Sequence, residues 1–289
     1  MAVGLNLVPE LPEVEITARR LTTALEGAEV ESALAAGVAT LKTFEPSLDY
    51  VTGARIAGVR RIGKMLAVDL DPADGAGPLT LLIHLMSAGR LQLFDKRATL
   101  RDRRSRILVR IADGRELRLR EFGTKQSAWA KLLRRDDVGK DEMVATLAPD
   151  AWPSPPLDEF SERILQPRHL HPLLRDQRVI AGIGRSWVDE ILWEARLSPF
   201  KKGAELRGEE IKRIHDGLHV LGDALEHYEE NVGEQIPDKM PMPLKIHRRG
   251  GESCPRCGTT IEAVFFADHQ MNYCPEEQTG GRVHKDRRL

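Results

Sequence analysis

Residues 7–21 read LVPELPEVEITARRL, and this stretch decides how the chain enters its first helix. Pro12 suits the first residue of a helix, where its missing N–H costs nothing and its fixed φ is already helical. Glu13 and Glu15 follow, placing negative charge at the positive end of the helix dipole. Val14, Ala18, Leu21 and Leu25 recur at helical spacing, so one face is expected to be buried. That leaves Pro9 and Glu10 directly ahead of the helix, behind eight residues without a charge, MAVGLNLV.

Working outward, 289 residues suit two domains, or two with a small appendage. A net charge of −1 argues against a uniformly polyanion-binding surface but leaves room for a local basic groove. No apolar run approaches a membrane span, and the first eight residues lack the basic start and long apolar stretch of a signal peptide. A cytoplasmic monomer with no membrane partner is the expectation. From about residue 54 the texture is that of strands: ARIAGVRRIGKMLAVDL, LTLLIHLMSAGRLQLF and SRILVRIADGRELRLREF. Ile107, Val109 and Ile111 share one face of a period-2 pattern, and Asp113-Gly114 supplies a tight turn before Leu117 and Leu119 resume it. This half reads as an antiparallel sandwich. APDAWPSPPLDE, at 148–159, is a Pro-rich boundary. Beyond it RSWVDEILWEARLSP predicts a helix closed by Pro199, and Ile211, Ile214, Leu218, Leu221 and Leu225 predict one longer helix along a single stripe.

Chemistry has three candidate seats. The three cysteines, Cys254, Cys257 and Cys274, cluster near the C-terminus, which suggests metal before disulfides. CPRC and, after sixteen intervening residues, CPEE look like two knuckles of a zinc ribbon, with Glu277 in the fourth position and His269 or His284 as substitutes. A ribbon that has lost its Zn2+ and holds by packing is the alternative. Between Lys96 and Lys125 arginines crowd from Arg97 to Arg120, a surplus that suits phosphate or, equally, a solvated sheet face paired with acids. The third seat is Pro9-Glu10 itself.

PELPEVE ahead of a helix, a helical middle and a cysteine hairpin together resemble the formamidopyrimidine-DNA glycosylase / endonuclease VIII family, in its formamidopyrimidine branch. The resemblance runs from Pro9 over nearly the whole chain. It implies an α+β multidomain fold: an antiparallel β-sandwich with flanking helices (9–135), a helix–two-turn–helix domain (150–240) and a zinc-finger-like β-hairpin (245–289), with DNA in the cleft between. It implies a bifunctional glycosylase and abasic-site lyase acting on double-stranded DNA that carries damaged bases or abasic sites. The expected lesions are oxidised bases such as 8-oxoguanine and formamidopyrimidines. Alternatives are oxidised pyrimidines or abasic sites alone, or a catalytically silent DNA-binding module.

In the family a free N-terminal proline attacks the sugar, which makes Pro9 the implied nucleophile and Glu10 its proton partner, with Glu13 a further acid. An internal proline nitrogen is an amide and cannot do this. Val8 offers a route, since GTG is read as valine inside a gene and as methionine at a start; residues 1–8 are then expected to be an upstream misreading. Lys64 matches a phosphate-reaching lysine, Met86 the side chain inserted where a nucleotide has flipped, Arg120 the arginine facing the orphaned partner base and Phe122 the wedge phenylalanine. In IAGIGRSWVDEIL, Arg185 stands where the family has asparagine, and Glu190 matches a helix glutamate. His269 replaces the phosphate-binding arginine of the hairpin.

Overall fold

The computed structural model describes residues 8–36, 39–73, 75, 77–99, 102–123, 127–266 and 269–284. Residues 1–7, Arg101 and Lys125 lie outside that set. By backbone contact the chain forms two units, one of Met1–Ala145 with Tyr228–Pro241, the other of Thr146–His227 with Met242–Leu289.

The first unit opens with α1 (Leu11–Leu25), in which Pro12 falls one place later than expected, because Leu11 already has helical geometry. Glu10 caps it: a reciprocal box joins the Glu10 side chain to the Glu13 amide and the Glu13 side chain to the Glu10 amide. Val14, Ala18, Leu21 and Leu25 are all buried, as their spacing predicts. Two four-stranded antiparallel sheets follow. One, in the order β1-β6-β7-β5, is made of β1 (Val30–Ala35), β6 (Ser105–Ile111), β7 (Glu116–Glu121) and β5 (Gly89–Phe94). The other, β2-β3-β4-β8, is made of β2 (Arg55–Ile62), β3 (Met65–Asp71), β4 (Leu79–His84) and β8 (Trp129–Arg134). Ile107, Val109, Ile111, Leu117 and Leu119 join Leu66, Val68, Leu81 and Ile83 in one core with the inner face of α1. The Asp113-Gly114 turn is present, with Gly114 at φ +98°. A short α2 (Glu142–Ala145) closes the first unit before its returning segment.

The arginine-rich stretch lies largely on this sheet and is largely paired. Arg97 meets Glu31, Arg110 and Arg118 both meet the buried Glu116, Arg115 meets Asp113, and Arg106 approaches Glu121 at 3.7 Å. Paired arginines satisfy the sheet's own buried acids, so this face is not a bare phosphate-binding surplus.

The second unit holds α3 (Leu157–Ile164), α4 (Leu170–Leu174), α5 (Arg185–Glu194), α6 (Gly208–Gly217) and the start of α7 (Val220–Asn231). The helix expected to run to Pro199 stops at Glu194, because Arg196 turns left-handed at φ +53°. The stripe from Ile211 to Leu225 is buried as expected, but it belongs to two helices and not one. Gly217 is the last residue of α6 and packs its backbone closely on α5, where a Cβ would sit 3.2 Å from the Ile191 carbonyl. The tail forms the hairpin β9 (Glu262–Phe266) and β10 (His269–Tyr273), then α8 (Pro275–Thr279) with Cys274 at its N-cap position. No described helix is long and apolar enough to cross a membrane.

Candidate active site and metal centre

The head of α1 is held from inside. Glu10 is fully buried and Pro9 is buried beside it. The Glu13 carboxylate accepts the Glu10 amide through Oε2 at 2.9 Å and the Tyr228 hydroxyl through Oε1 at 2.5 Å. Tyr228 has no exposed surface. Burial, then the Glu13 charge, push its phenol well above the ordinary range, so it stays a donor. Nothing in the sequence marks Tyr228, since it lies 215 residues from its partner on an otherwise ordinary amphipathic helix.

After α7 the chain returns across β5 and β7. Gln92 donates to the Ile236 carbonyl at 2.7 Å and to Asp238 at 3.0 Å, and Arg90 donates to the Asp238 carbonyl at 3.1 Å. Arg120 meets Gln92 at 3.0 Å and Asp238 at 3.1 Å through the same Nη1. It also stands 4.8 Å over the ring of Phe122, which Arg104 approaches at 5.1 Å. Arg120 and Phe122 therefore form one cluster, with Asp238 an acid that the sequence reading missed.

Met86 lies in the turn between β4 and β5, half-buried and left-handed at φ +50°, where a side chain is strained. Its amide donates to His84 Nδ1 at 2.9 Å. The turn has no slack at Gly89 either, because a Cβ there would lie 2.4 Å from the Leu85 carbonyl oxygen. Burial, then the charge of Lys64 in the β2–β3 turn, lower the His84 imidazole to about 4. The folded value lies below the unfolded one, so stability is lost as pH falls from about 6.5 towards 4, by roughly 3 kcal/mol in all. Urea unfolding at pH 7 and pH 4.5 measures this. His84→Gln, which does not titrate, is expected to lose that share of the acid sensitivity.

In the second unit Arg185 is the first residue of α5, behind Gly184, which offers no side-chain cap. Arg248, a residue not singled out from sequence, is left-handed at φ +62°; burial, then the charge of nearby Arg185, lower its guanidinium. Two cations near a helix N-terminus suit an anion. Glu190 faces inward, accepting the amides of Lys245, Ile246 and His247 at 2.8–2.9 Å, while burial pushes its carboxyl up. Its place is thus structural. His269 occupies the first position of β10, opposite Phe266; its side chain lies outside the described set.

The Sγ atoms of Cys254, Cys257 and Cys274 lie within 4.8 Å of one another, Cys257 and Cys274 at 3.4 Å. Tetrahedral zinc with Zn–S near 2.3 Å would set sulfurs ~3.8 Å apart, so this soft donor set fits the ion. Glu277, expected as the fourth ligand, is not brought to the cysteines. Its Oε2 is taken by Arg196 Nε at 3.2 Å and Arg256 Nη1 at 3.3 Å. His284 is also elsewhere, stacked on Phe200 with centroids 4.0 Å apart.

The first unit carries a buried Pro-Glu helix start, and the second a helix N-terminus with two cations near it and a hairpin that gathers three cysteines. Comparison with known proteins narrows their reading. The model for the formamidopyrimidine-DNA glycosylase N-terminal domain matches residues 8–124, and that for the formamidopyrimidine-DNA glycosylase H2TH domain matches 147–235. A formamidopyrimidine-DNA glycosylase of Chloroflexus aurantiacus is 34% identical over 93% of this chain and 96% of that protein. The Lactococcus lactis enzyme, solved bound non-covalently to DNA with an abasic site, is 26% identical with TM-score 0.80, covering 93% of this chain and 99% of that one. MutM in complex with DNA containing carbocyclic 8-oxo-G is 26% identical with TM-score 0.82, covering 94% and 100%. The chain belongs to the formamidopyrimidine-DNA glycosylase family.

Proposed function

We propose that this protein excises oxidised purines from duplex DNA and nicks the resulting abasic site, with Pro9 as nucleophile. The observation that carries the reading is the clasp at the head of α1, where Glu13 holds the Glu10 amide and so orients the Pro9-Glu10 pair. Relatives solved with 8-oxo-G, Fapy-dG and abasic-site DNA support the substrate class. The segments 9–135, 150–240 and 245–289 would supply chemistry, phosphate grip and a second DNA contact.

The Pro9 amine, as a free terminus, attacks C1′ of the damaged nucleotide. The C1′–base bond breaks, and the base departs with its electron pair and a proton. Glu10 protonates the ring oxygen as the sugar opens, leaving an iminium between Pro9 and C1′. Loss of a C2′ proton then expels the 3′-phosphate, and a second elimination expels the 5′-phosphate. An α-amino group titrates near 8, so about a tenth is neutral at pH 7, against almost none of an ordinary lysine. Lys64, Arg185 and Arg248 would hold phosphates, Met86 and Phe122 would fill the space a flipped nucleotide leaves, and Arg120 would face its partner base. His269 is the proposed hairpin contact.

The route demands Pro9 at the amino terminus, because an amide nitrogen cannot form the iminium. Borohydride trapping on an abasic-site duplex tests it. A chain beginning at Pro9 is expected to give a covalent adduct, and one retaining residues 1–8 none. No adduct from the Pro9 chain, with DNA binding intact, would mean a silent DNA-binding module. Trapping on 8-oxoguanine against oxidised-pyrimidine duplexes then ranks the lesions.

A further inference from the structure

The two knuckles of the cysteine hairpin are joined by more than thiols. Arg256, between Cys254 and Cys257, reaches Glu277 of the other knuckle at 3.3 Å and Glu194 of α5 at 2.9 Å. Its guanidinium also lies 3.9 Å over the Trp193 ring and donates to the Trp193 carbonyl. Arg196 takes the same Glu277 oxygen from outside. The Glu277 side chain is only 12% exposed, so turning it to a metal would strip a mostly buried carboxylate from two cations.

Among the described residues, no other His, Cys, Asp or Glu joins the three thiols. His284 is stacked on Phe200, with its amide on the Tyr273 hydroxyl. The His269 backbone lies five residues up β10 from Cys274, roughly 16 Å along an extended strand.

We propose that the hairpin binds a divalent metal through Cys254, Cys257 and Cys274 alone, leaving the fourth position to an exchangeable small donor such as water, a thiol or an imidazole. The Arg256–Glu277 pair does for the knuckles what a fourth protein ligand does elsewhere. Structural zinc sites are ordinarily closed by four protein ligands; this one is open, and its metal is accordingly exchangeable.

Cobalt(II) substitution of the full chain reads the coordination sphere directly, without reference to DNA cleavage. One cobalt per chain is expected, with d–d bands that shift when imidazole is added. Glu277→Cys is expected to close the site: its bands move to those of four thiolates, ignore imidazole, and zinc release to a chelator slows at least tenfold. Glu277→Gln is expected to leave the cobalt spectrum unchanged. Failure to bind one cobalt, a wild-type spectrum indifferent to imidazole, or a changed spectrum in Glu277→Gln would each overturn the proposal. The imidazole titration needs no variant, so it decides the matter even if loss of the arginine pair loosens the hairpin.

Discussion

Replacing Asp189 with alanine is expected to cost the protein about 3–5 kcal/mol of stability, the scale for removing one partner of a buried charged cluster. Asp189 is 1% exposed on α5. Its Oδ2 lies 2.7 Å from His247 Nδ1 and accepts the Asn272 amide at 2.9 Å, while Oδ1 lies 3.3 Å from His171 Nε2. One carboxylate thus ties α4, α5, the approach to the cysteine hairpin and β10. Burial would raise its pKa, but the two histidines outweigh burial and hold it below the usual carboxylate range. The sign follows from linkage: the contribution is complete above the unfolded value near 3.9 and is lost as pH falls through the folded one. The deficit of the variant should therefore be full at pH 7 and shrink only in strong acid. Glu190 keeps its three amide bonds to 245–247 in the variant, so the hairpin loosens without detaching. Urea unfolding at pH 7 measures the loss, and a deficit under about 1 kcal/mol would show that the histidines do not depend on this carboxylate.

The Asp189 cluster also shows where a sequence stops being readable. Val14, Ala18, Leu21 and Leu25, or Ile107, Val109 and Ile111, announce their burial because period and burial are the same fact within one element. The Asp113-Gly114 turn is legible for the same reason, being local. His171, Asp189 and His247 come from three elements, and nothing periodic links them. The stripe from Ile211 to Leu225 reads as one helix in sequence, and the close approach of the Gly217 backbone to the Ile191 carbonyl, where a Cβ would sit 3.2 Å away, has no sequence signal. The candidate site divides likewise. PELPEVE names Pro9, Glu10 and Glu13 together, and CPRC with CPEE names the knuckles. Tyr228, Asp238 and Arg248 carry no motif, and Glu277 holds a ligand's place in the spacing while its carboxylate is committed to Arg196 and Arg256. Spacing shows which residues can approach one another; competition for a charged group is settled by residues far away in sequence.

Glu13→Ala, in a chain that begins at Pro9, is expected to slow single-turnover base release by about 100-fold, with the affinity for abasic-site DNA changed by less than threefold. Misplacing reacting groups by about 1 Å costs on that order, and Glu13 is what holds the Glu10 amide at 2.9 Å. Tyr228→Phe keeps the buried ring and removes only the hydroxyl that reaches Glu13 at 2.5 Å. A hydrogen bond to a charged group is worth about 1.5–3 kcal/mol, which sets an expected slowing of roughly tenfold to a hundredfold if it is spent on orientation. General damage to α1 would slow the reaction too, so the two changes must be combined. If Tyr228 acts through Glu13, adding Tyr228→Phe to Glu13→Ala should slow the reaction by less than a further twofold, because the hydroxyl no longer has a carboxylate to hold. Independent damage would multiply the two losses. A multiplicative result would leave Tyr228 as a packing residue of α7 and would remove the clasp from the account of how Pro9 and Glu10 are aimed.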